Sequence, residues 1–297
     1  MKHLLLSLLA ILIIQGSYSQ TEPILKIGLV ADPQYADKPA AGERFYRESL
    51  WKLKEAIKTF NDCQVDFVQN LGDIIDEGWE NYNSIIPVYQ HLDSDIENFH
   101  LLGNHDFAID SSHQDSLLAV LSMPCYYYSY VRENWRFIVL DATDYSYFSM
   151  WLHGRDPDQV DKYYLQTEGK PNHYRWNSAI GECQKEWLEQ ELKSAGSLQQ
   201  KVIIFSHVPL RPLNEPENLW NSEEILEIIE KSPVVVAFIN GHNHSGDYIF
   251  KNGIHYITIF GMVDTMKNAC GILEIYENRL VLKGFGNQRS LELIRNR

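Results

Sequence analysis

Residues 24–34 read Ile24-Leu25-Lys26-Ile27-Gly28-Leu29-Val30-Ala31-Asp32-Pro33-Gln34, an almost unbroken apolar run that stops at an Asp-Pro pair. A run of this length closed by a turn signal reads as a buried strand. Downstream, Phe45 or Tyr46, Leu50, Leu53, Ile57 and Phe60 recur at helical spacing, which predicts an amphipathic helix over 43–60. Val65 to Leu71 is a second strand, ended by Gly72-Asp73. Strand, helix, strand in this order is a parallel crossover unit. Ligands of such sheets gather beyond the carboxyl ends of the strands, where Asp32 and Asp73 stand.

The alternation continues outward. It predicts a helix near 81–95, a short strand at 99–102, a helix near 112–121 and strands near 126–131 and 135–141. A helix containing Trp187, Leu188 and Leu192 follows, then a strand at 202–205, a helix near 222–231 and a strand at 234–239. From Asp247 the pattern changes, and 247–251, 254–260, 271–276 and 279–283 read as consecutive antiparallel strands with turns at Asn252-Gly253 and Glu277-Asn278. Residues 142–182 are rich in Tyr, Asp, Gly and Pro and lack periodicity, so they read as a long loop region over one face. No repeat, low-complexity tract or linker interrupts the chain. One α/β domain over 20–297, with two sheets and flanking helices, accounts for it.

The chain has 297 residues, 44% of them hydrophobic, and a formal net charge of −14. That charge excludes a nucleic-acid backbone or an anionic membrane as the main partner, since both need a basic face. An acidic protein that handles phosphates must gather positive charge locally, and bound divalent metals do so. The N-terminus runs from Met1-Lys2-His3 through an apolar stretch, Leu4 to Ile14, to small residues at Gly16, Ser17 and Ser19. This order predicts a signal peptide over 1–19 and a secreted or periplasmic protein. The apolar run falls short of the ~20 residues that span a bilayer, so no stable membrane anchor is expected. Cys63, Cys125, Cys183 and Cys270 are scattered without metal spacing and are expected to be buried free thiols.

Five polar motifs follow apolar strand-like runs: Asp32-Pro33-Gln34, Gly72-Asp73, Gly103-Asn104-His105-Asp106, Ser206-His207 and Gly241-His242-Asn243-His244. Each alone is ordinary. Asp-Pro is most often a turn, Gly-Asp a strand exit or helix cap, and a lone histidine a satisfied polar residue. Five in series at the strand ends of one α/β sheet converge on one cleft. A metal pair about 3.5–4 Å apart that holds a hydroxide nucleophile and clamps phosphoryl oxygens needs a bridging carboxylate, and Asp73 is the natural bridge. Asp32 and Gln34, two apart and so on one face, are assigned with His244 to the first ion. Asn104, His207 and His242 are assigned to the second. Mixed oxygen and nitrogen donors suit manganese or a similar first-row ion better than structural zinc, with iron or zinc as alternatives. His105, beside a ligand but projecting differently, has the chemistry to protonate a leaving oxygen, oriented by Asp76 or Asp106. Tyr35 either stacks on a nucleobase or belongs to the core. Arg44, Tyr46 and Arg47 either bind phosphate or form a solvated helix face.

These motifs resemble those of the calcineurin-like metallophosphoesterases. Ala31 to Asp37 with glutamine at 34, Leu71 to Asp76, and the run from Ser206-His207-Val208-Pro209 through Leu219-Trp220-Asn221 to Gly246 resemble one branch, the manganese-dependent ADP-ribose/CDP-alcohol diphosphatases. The resemblance extends from about Ile24 to Gly286. It implies a four-layer α/β/β/α sandwich of two mixed sheets, a dinuclear manganese centre on the seven residues above, and His105 as the catalytic histidine. It also implies hydrolysis of a diphosphate linking a nucleoside to a second alcohol or sugar: ADP-ribose to AMP and ribose 5-phosphate, CDP-choline or CDP-glycerol to CMP and the phosphoalcohol. Two features depart from the branch. Asp106 stands where relatives often carry glutamate, and an exported enzyme would rarely meet intracellular ADP-ribose. The alternatives are an exported phosphodiesterase for cyclic nucleotides or glycerophosphodiesters and an inactive binding protein on the same fold.

Overall fold

The strands follow in chain order as β1 (Leu25–Val30), β2 (Phe67–Asn70), β3 (Glu97–Phe99), β4 (Tyr128–Arg132), β5 (Trp135–Val139), β6 (Lys201–Ser206), β7 (Val235–Asn240), β8 (Asp247–Lys251), β9 (Ile254–Thr258), β10 (Ala269–Ile275), β11 (Arg279–Gly286) and β12 (Leu291–Ile294). The helices are α1 (Ser49–Asp62), α2 (Tyr82–Tyr89), α3 (Ser111–Gln114), α4 (Leu117–Val120), α5 (Pro157–Leu165), α6 (Glu182–Ser197) and α7 (Ser222–Lys231). The computed structural model describes residues 22–294, so the expected signal peptide over 1–19 lies outside the described residues. Among the described residues the strands form two six-stranded sheets, ordered β12-β11-β10-β1-β2-β3 and β4-β5-β6-β7-β9-β8.

Apolar alternation decides the layering. Successive side chains on a strand face opposite ways, and β5 and β6 are apolar on both faces. Phe137, Val139, Ile203 and Phe205 join Leu29 and Phe67 of the first sheet in one cluster between the sheets. Ile138, Val202 and Ile204 turn the other way, onto Leu188 and Leu192 of α6 and Ile225 and Ile229 of α7. On the far side of the first sheet, Leu53, Ile57 and Phe60 of α1 close the core. The approach there is tight: a Cβ on Gly28 would lie 3.0 Å from the Phe60 ring. Helix, sheet, sheet, helix is the layering the resemblance implied. Both sheets are mixed, with β1-β2-β3 and β5-β6-β7-β9 parallel and the remaining pairs antiparallel.

Several boundaries differ from the sequence reading, each for a local reason. The helix expected over 43–60 begins at Ser49; Ala41 and Arg44 instead pair with each other, and Arg44 bridges to Asp264. Residues 142–182 are not all loop, because Asp156-Pro157-Asp158-Gln159 is a capping box with proline in the first turn and starts α5. The helix expected over 112–121 is two short ones, α3 and α4. The last strands are not one antiparallel series: β8 and β9 form a hairpin, β9 pairs with β7 in parallel, and β10 crosses to the first sheet. All four thiols are free, but only Cys270 is buried; Cys125 and Cys183 are exposed.

One buried lysine ties the fold to its functional end. Lys52, on the buried face of α1, donates from Nζ to the carbonyls of Met262, Val263 and Thr265 at 2.7, 3.3 and 2.7 Å. Burial pulls its pKa down to about 8, and the three carbonyls hold the ammonium in place. Lys52→Met removes this donor from the Met262 and Thr265 carbonyls, while Val263 keeps the Phe45 N–H at 2.8 Å, at about 1–3 kcal/mol for each unsatisfied group. The expected result is a fall in Tm of roughly 5 °C or more in a thermal melt, since ~1 kcal/mol shifts a domain of this size by a few degrees. An unchanged Tm overturns this role.

Candidate metal centre

The five motifs leave their strands and turn at once. Asp32, Gln34, Asp73 and His242 have positive φ values of 49, 41, 51 and 67°. Left-handed backbone costs a non-glycine residue about 1 kcal/mol or more, so four such residues in one cluster are held there by their surroundings. Glycines let the backbone come close. A Cβ on Gly103 would sit 2.2 Å from Asp73 Oδ1, one on Gly72 2.8 Å from His207 Nδ1, and one on Gly241 2.7 Å from Asp32 Oδ2.

All seven predicted ligand residues meet. His207 Nε2 lies 3.3 Å from Asp73 Oδ2, 3.3 Å from Asn104 Oδ1 and 3.1 Å from His242 Nδ1. His244 Nε2 lies 3.6 Å from Asp32 Oδ1, and the Gln34 amide lies 3.1 Å from Asp73 Oδ2 and 3.2 Å from His244 Nε2. The His242 backbone N–H donates to the Asp32 carboxylate. Asp73 therefore touches both halves of the set.

The donor chemistry fits metal ions. Each imidazole has one nitrogen fixed on an outer acceptor: His207 Nδ1 on the Leu71 carbonyl at 2.8 Å, His242 Nε2 on Asn177 Oδ1 at 3.3 Å, His244 Nδ1 on Asp264 Oδ1 at 2.9 Å. The outer nitrogen must donate, which leaves the inner one to supply a lone pair, as in the oriented histidines of metal sites. Gln34 Oε1 is buried without a hydrogen-bond partner, and turning the amide by 180° places that oxygen among the donor atoms. One atom each from Asp73, His207 and His242 lies within 4.8 Å of the others. Burial opposes charge throughout the set. Even so, neighbouring histidines hold Asp73 well below the usual carboxylate range, and Asp73 pushes His207 up to about 9. A cation binding here displaces that proton.

Over residues 25–246 the sequence matches the calcineurin-like phosphoesterase family. The chain belongs to that family. Its relatives include a manganese-dependent ADP-ribose/CDP-alcohol diphosphatase from Arabidopsis thaliana, 28% identical over 91% of this chain and 97% of the relative. A protein of the same name from Homo sapiens is 27% identical over 90% of this chain and 91% of its own. A solved dimetal phosphatase from Danio rerio superposes with a TM-score of 0.79 at 27% identity, covering 93% of this chain and all of that one.

Around the metal centre this calcineurin-like phosphoesterase has a cleft of about 410 Å³. A larger groove of about 730 Å³ between α6 and α7 contains none of the predicted site residues. His105 lines the cleft. Its Nδ1 lies 3.0 Å from the Asp76 carbonyl and 3.2 Å from Asp76 Oδ1, which aims Nε2 away from Asp76. Burial works against its charge, but Asp73 and Asp76 raise its pKa to about 9.

Of the two suggested partners for His105, Asp76 is thus the one that orients it. Asp106 is fully occupied elsewhere, accepting backbone N–H groups from Asp73, Ile74 and Gly103 and the Tyr82 hydroxyl. Of the two readings of Tyr35 the structure favours the core and corrects the substrate contact: it is buried in the hydrophobic cluster and is not among the residues that line the cleft. Arg44 is moved the other way. Because α1 starts late, Arg44 lies not on a helix face but in the cleft wall, 4.0 Å from Asp76. Tyr46 is buried, and Arg47 pairs with Asp37 at the surface. Sequence reading missed Asp264 and Asn177, which orient two of the candidate ligands, His244 and His242. A single polar residue in a loop gives no periodic or motif signal.

Proposed function

We propose that this phosphoesterase hydrolyses the diphosphate of nucleoside diphosphate-linked alcohols or sugars, such as ADP-ribose, CDP-choline or CDP-glycerol. Asp32, Gln34, Asp73, Asn104, His207, His242 and His244 would hold two divalent ions, manganese first among candidates, as the names of the relatives indicate. The observation that carries the proposal is the inward-facing set of three oriented imidazoles around Asp73, with a glutamine amide where a charged or imidazole donor would otherwise stand. Bound ions supply Lewis acidity for the phosphoryl oxygens and lower the pKa of the attacking water.

The chain's own residues do the rest. Arg44 brings a fixed positive charge to the cleft wall for the anionic diphosphate. As water attacks one phosphorus and the bridging P–O bond breaks, His105 gives the proton on Nε2 to the departing oxygen. Asp76 then stabilises the ring's position as its charge changes. Export of the chain belongs to the same proposal and rests on the order of charges and apolar residues over 1–19. It places the substrate outside the cytoplasm, and a mature N-terminus at Met1 contradicts it. Among the described residues no helix is long and apolar enough to cross a membrane.

The test is hydrolysis of ADP-ribose, CDP-choline, CDP-glycerol, cyclic AMP and bis-p-nitrophenyl phosphate with manganese, magnesium or chelator. Manganese-dependent release of AMP or CMP from the diphosphates, with cyclic AMP left intact, is expected. Cleavage of the phosphodiesters alone overturns the substrate and favours the phosphodiesterase.

A further inference from the structure

We propose that Trp176 is the surface on which the substrate's nucleobase stacks, and so the residue that selects nucleotides over other diphosphates. The inference rests on the proposed function and adds to it the group that recognises the nucleoside. Trp176 lines the same cleft as Gln34, Asp73 and His105, and the residue is 46% exposed. It belongs to none of the apolar clusters that stabilise the fold. An exposed indole has a structural cost, since the fold could bury that area elsewhere.

The segment around it is held firmly. Tyr174 stacks behind Trp176, with ring centroids 3.9 Å apart and planes 16° from parallel. The Tyr174 carbonyl accepts from Trp220 Nε1 at 3.0 Å. Arg175 turns away, its guanidinium 4.3 Å from the centre of the Tyr147 ring. Asn177 donates to the carbonyls of Asn172 and Pro216 and accepts from the ligand His242. Three consecutive residues thus point to three places: Arg175 to an aromatic cluster, Trp176 to the cleft, and Asn177 to the metal centre. Because Asn177 fixes the backbone beside a ligand, the indole keeps a set position relative to the reacting phosphates. Stacking has little dependence on base identity, since every base offers a π face. A platform of this kind accepts adenine and cytosine nucleotides alike, with the larger purine overlapping it more.

Inhibition by AMP, CMP and inorganic phosphate, compared in wild type, Trp176→Ala and Trp176→Phe, tests this. In Trp176→Ala the inhibition constants for AMP and CMP should rise about 5- to 150-fold, the worth of a base–aromatic stack. That for inorganic phosphate should stay put, the KM for diphosphate substrates should rise more than kcat falls, and Trp176→Phe should restore most of the loss. Equal shifts for AMP and phosphate, or no shift, overturn the platform. Thermal melts verify that the variants fold, as expected for an exposed side chain. Should wild type cleave no nucleotide diphosphate, the proposed function fails by itself. The platform is then judged by calorimetry on the manganese-loaded protein, where AMP binding no tighter than phosphate overturns it.

Discussion

Asp73→Asn should take turnover of every diphosphate substrate below detection while leaving the protein folded. Asp73 is buried and touches both halves of the ligand set: Oδ1 accepts the His105 backbone N–H at 2.8 Å, and Oδ2 lies 3.3 Å from His207 Nε2 and 3.1 Å from the Gln34 amide. Asparagine keeps the volume and the acceptor for His105 but loses the charge and the second anionic oxygen. Against the cost of burial, neighbouring histidines favour the ionised carboxylate in the metal-free fold, so in chelator the variant should still melt cooperatively but below the wild-type temperature. Manganese separates the two proteins. A ligand at 100 times its Kd stabilises the folded state by about 2.7 kcal/mol, so wild-type Tm should rise with manganese and that of the variant should not. Manganese-dependent turnover at the wild-type rate in Asp73→Asn would remove Asp73 from the centre of the mechanism.

His105→Ala should lower kcat by about 10²–10⁴ with metal content intact, the usual contribution of a positioned proton donor. His105 Nδ1 is fixed on Asp76, and its ring is not among the atoms gathered around Asp73, His207 and His242. Leaving-group chemistry sharpens the measurement. A p-nitrophenolate departs without a proton, so bis-p-nitrophenyl phosphate should lose far less rate than a poor leaving group does. Equal losses on both substrates would count against proton donation, and loss of metal by elemental analysis would show that His105 is a ligand.

The parts of the site readable in advance share one property. Asp32, Asp73, Asn104, His207 and His242 each end an apolar run. The carboxyl ends of β1, β2 and β3 lie together in one sheet and those of β6 and β7 in the other, so position in the sequence pattern stood for position within each sheet, and the packing of the two sheets joins the two groups. Asp264 and Asn177 had no such marker. Asp264 comes from the segment after β9 and Asn177 from the segment before α6, and each reaches its histidine only because distant elements pack together. Arg44 and Tyr35 show how a boundary changes a role. Helical spacing put Arg44 on a helix, yet the pairing of Ala41 with Arg44 and of Arg44 with Asp264 delays α1 and turns the guanidinium to the cleft. Tyr35 sits beside two ligands in sequence but pairs with Ile75 and is buried in the core.

By itself the sequence determined the α/β class with two sheets and flanking helices and picked out seven candidate ligand residues with His105, because apolar periodicity and strand-end motifs are local patterns that a linear chain displays; the four-layer order came from the family resemblance. The tertiary structure decided the rest. It set which carboxylate orients His105, which acceptors fix the tautomer of each ligand, and which aromatic side chain faces the cleft. It also holds Asp32, Gln34, Asp73 and His242 in left-handed backbone that none of them would choose alone. Those features depend on contacts between different elements, from 20 residues apart for His244 and Asp264 to 136 for His207 and Leu71, and no periodicity or motif along the chain marks them.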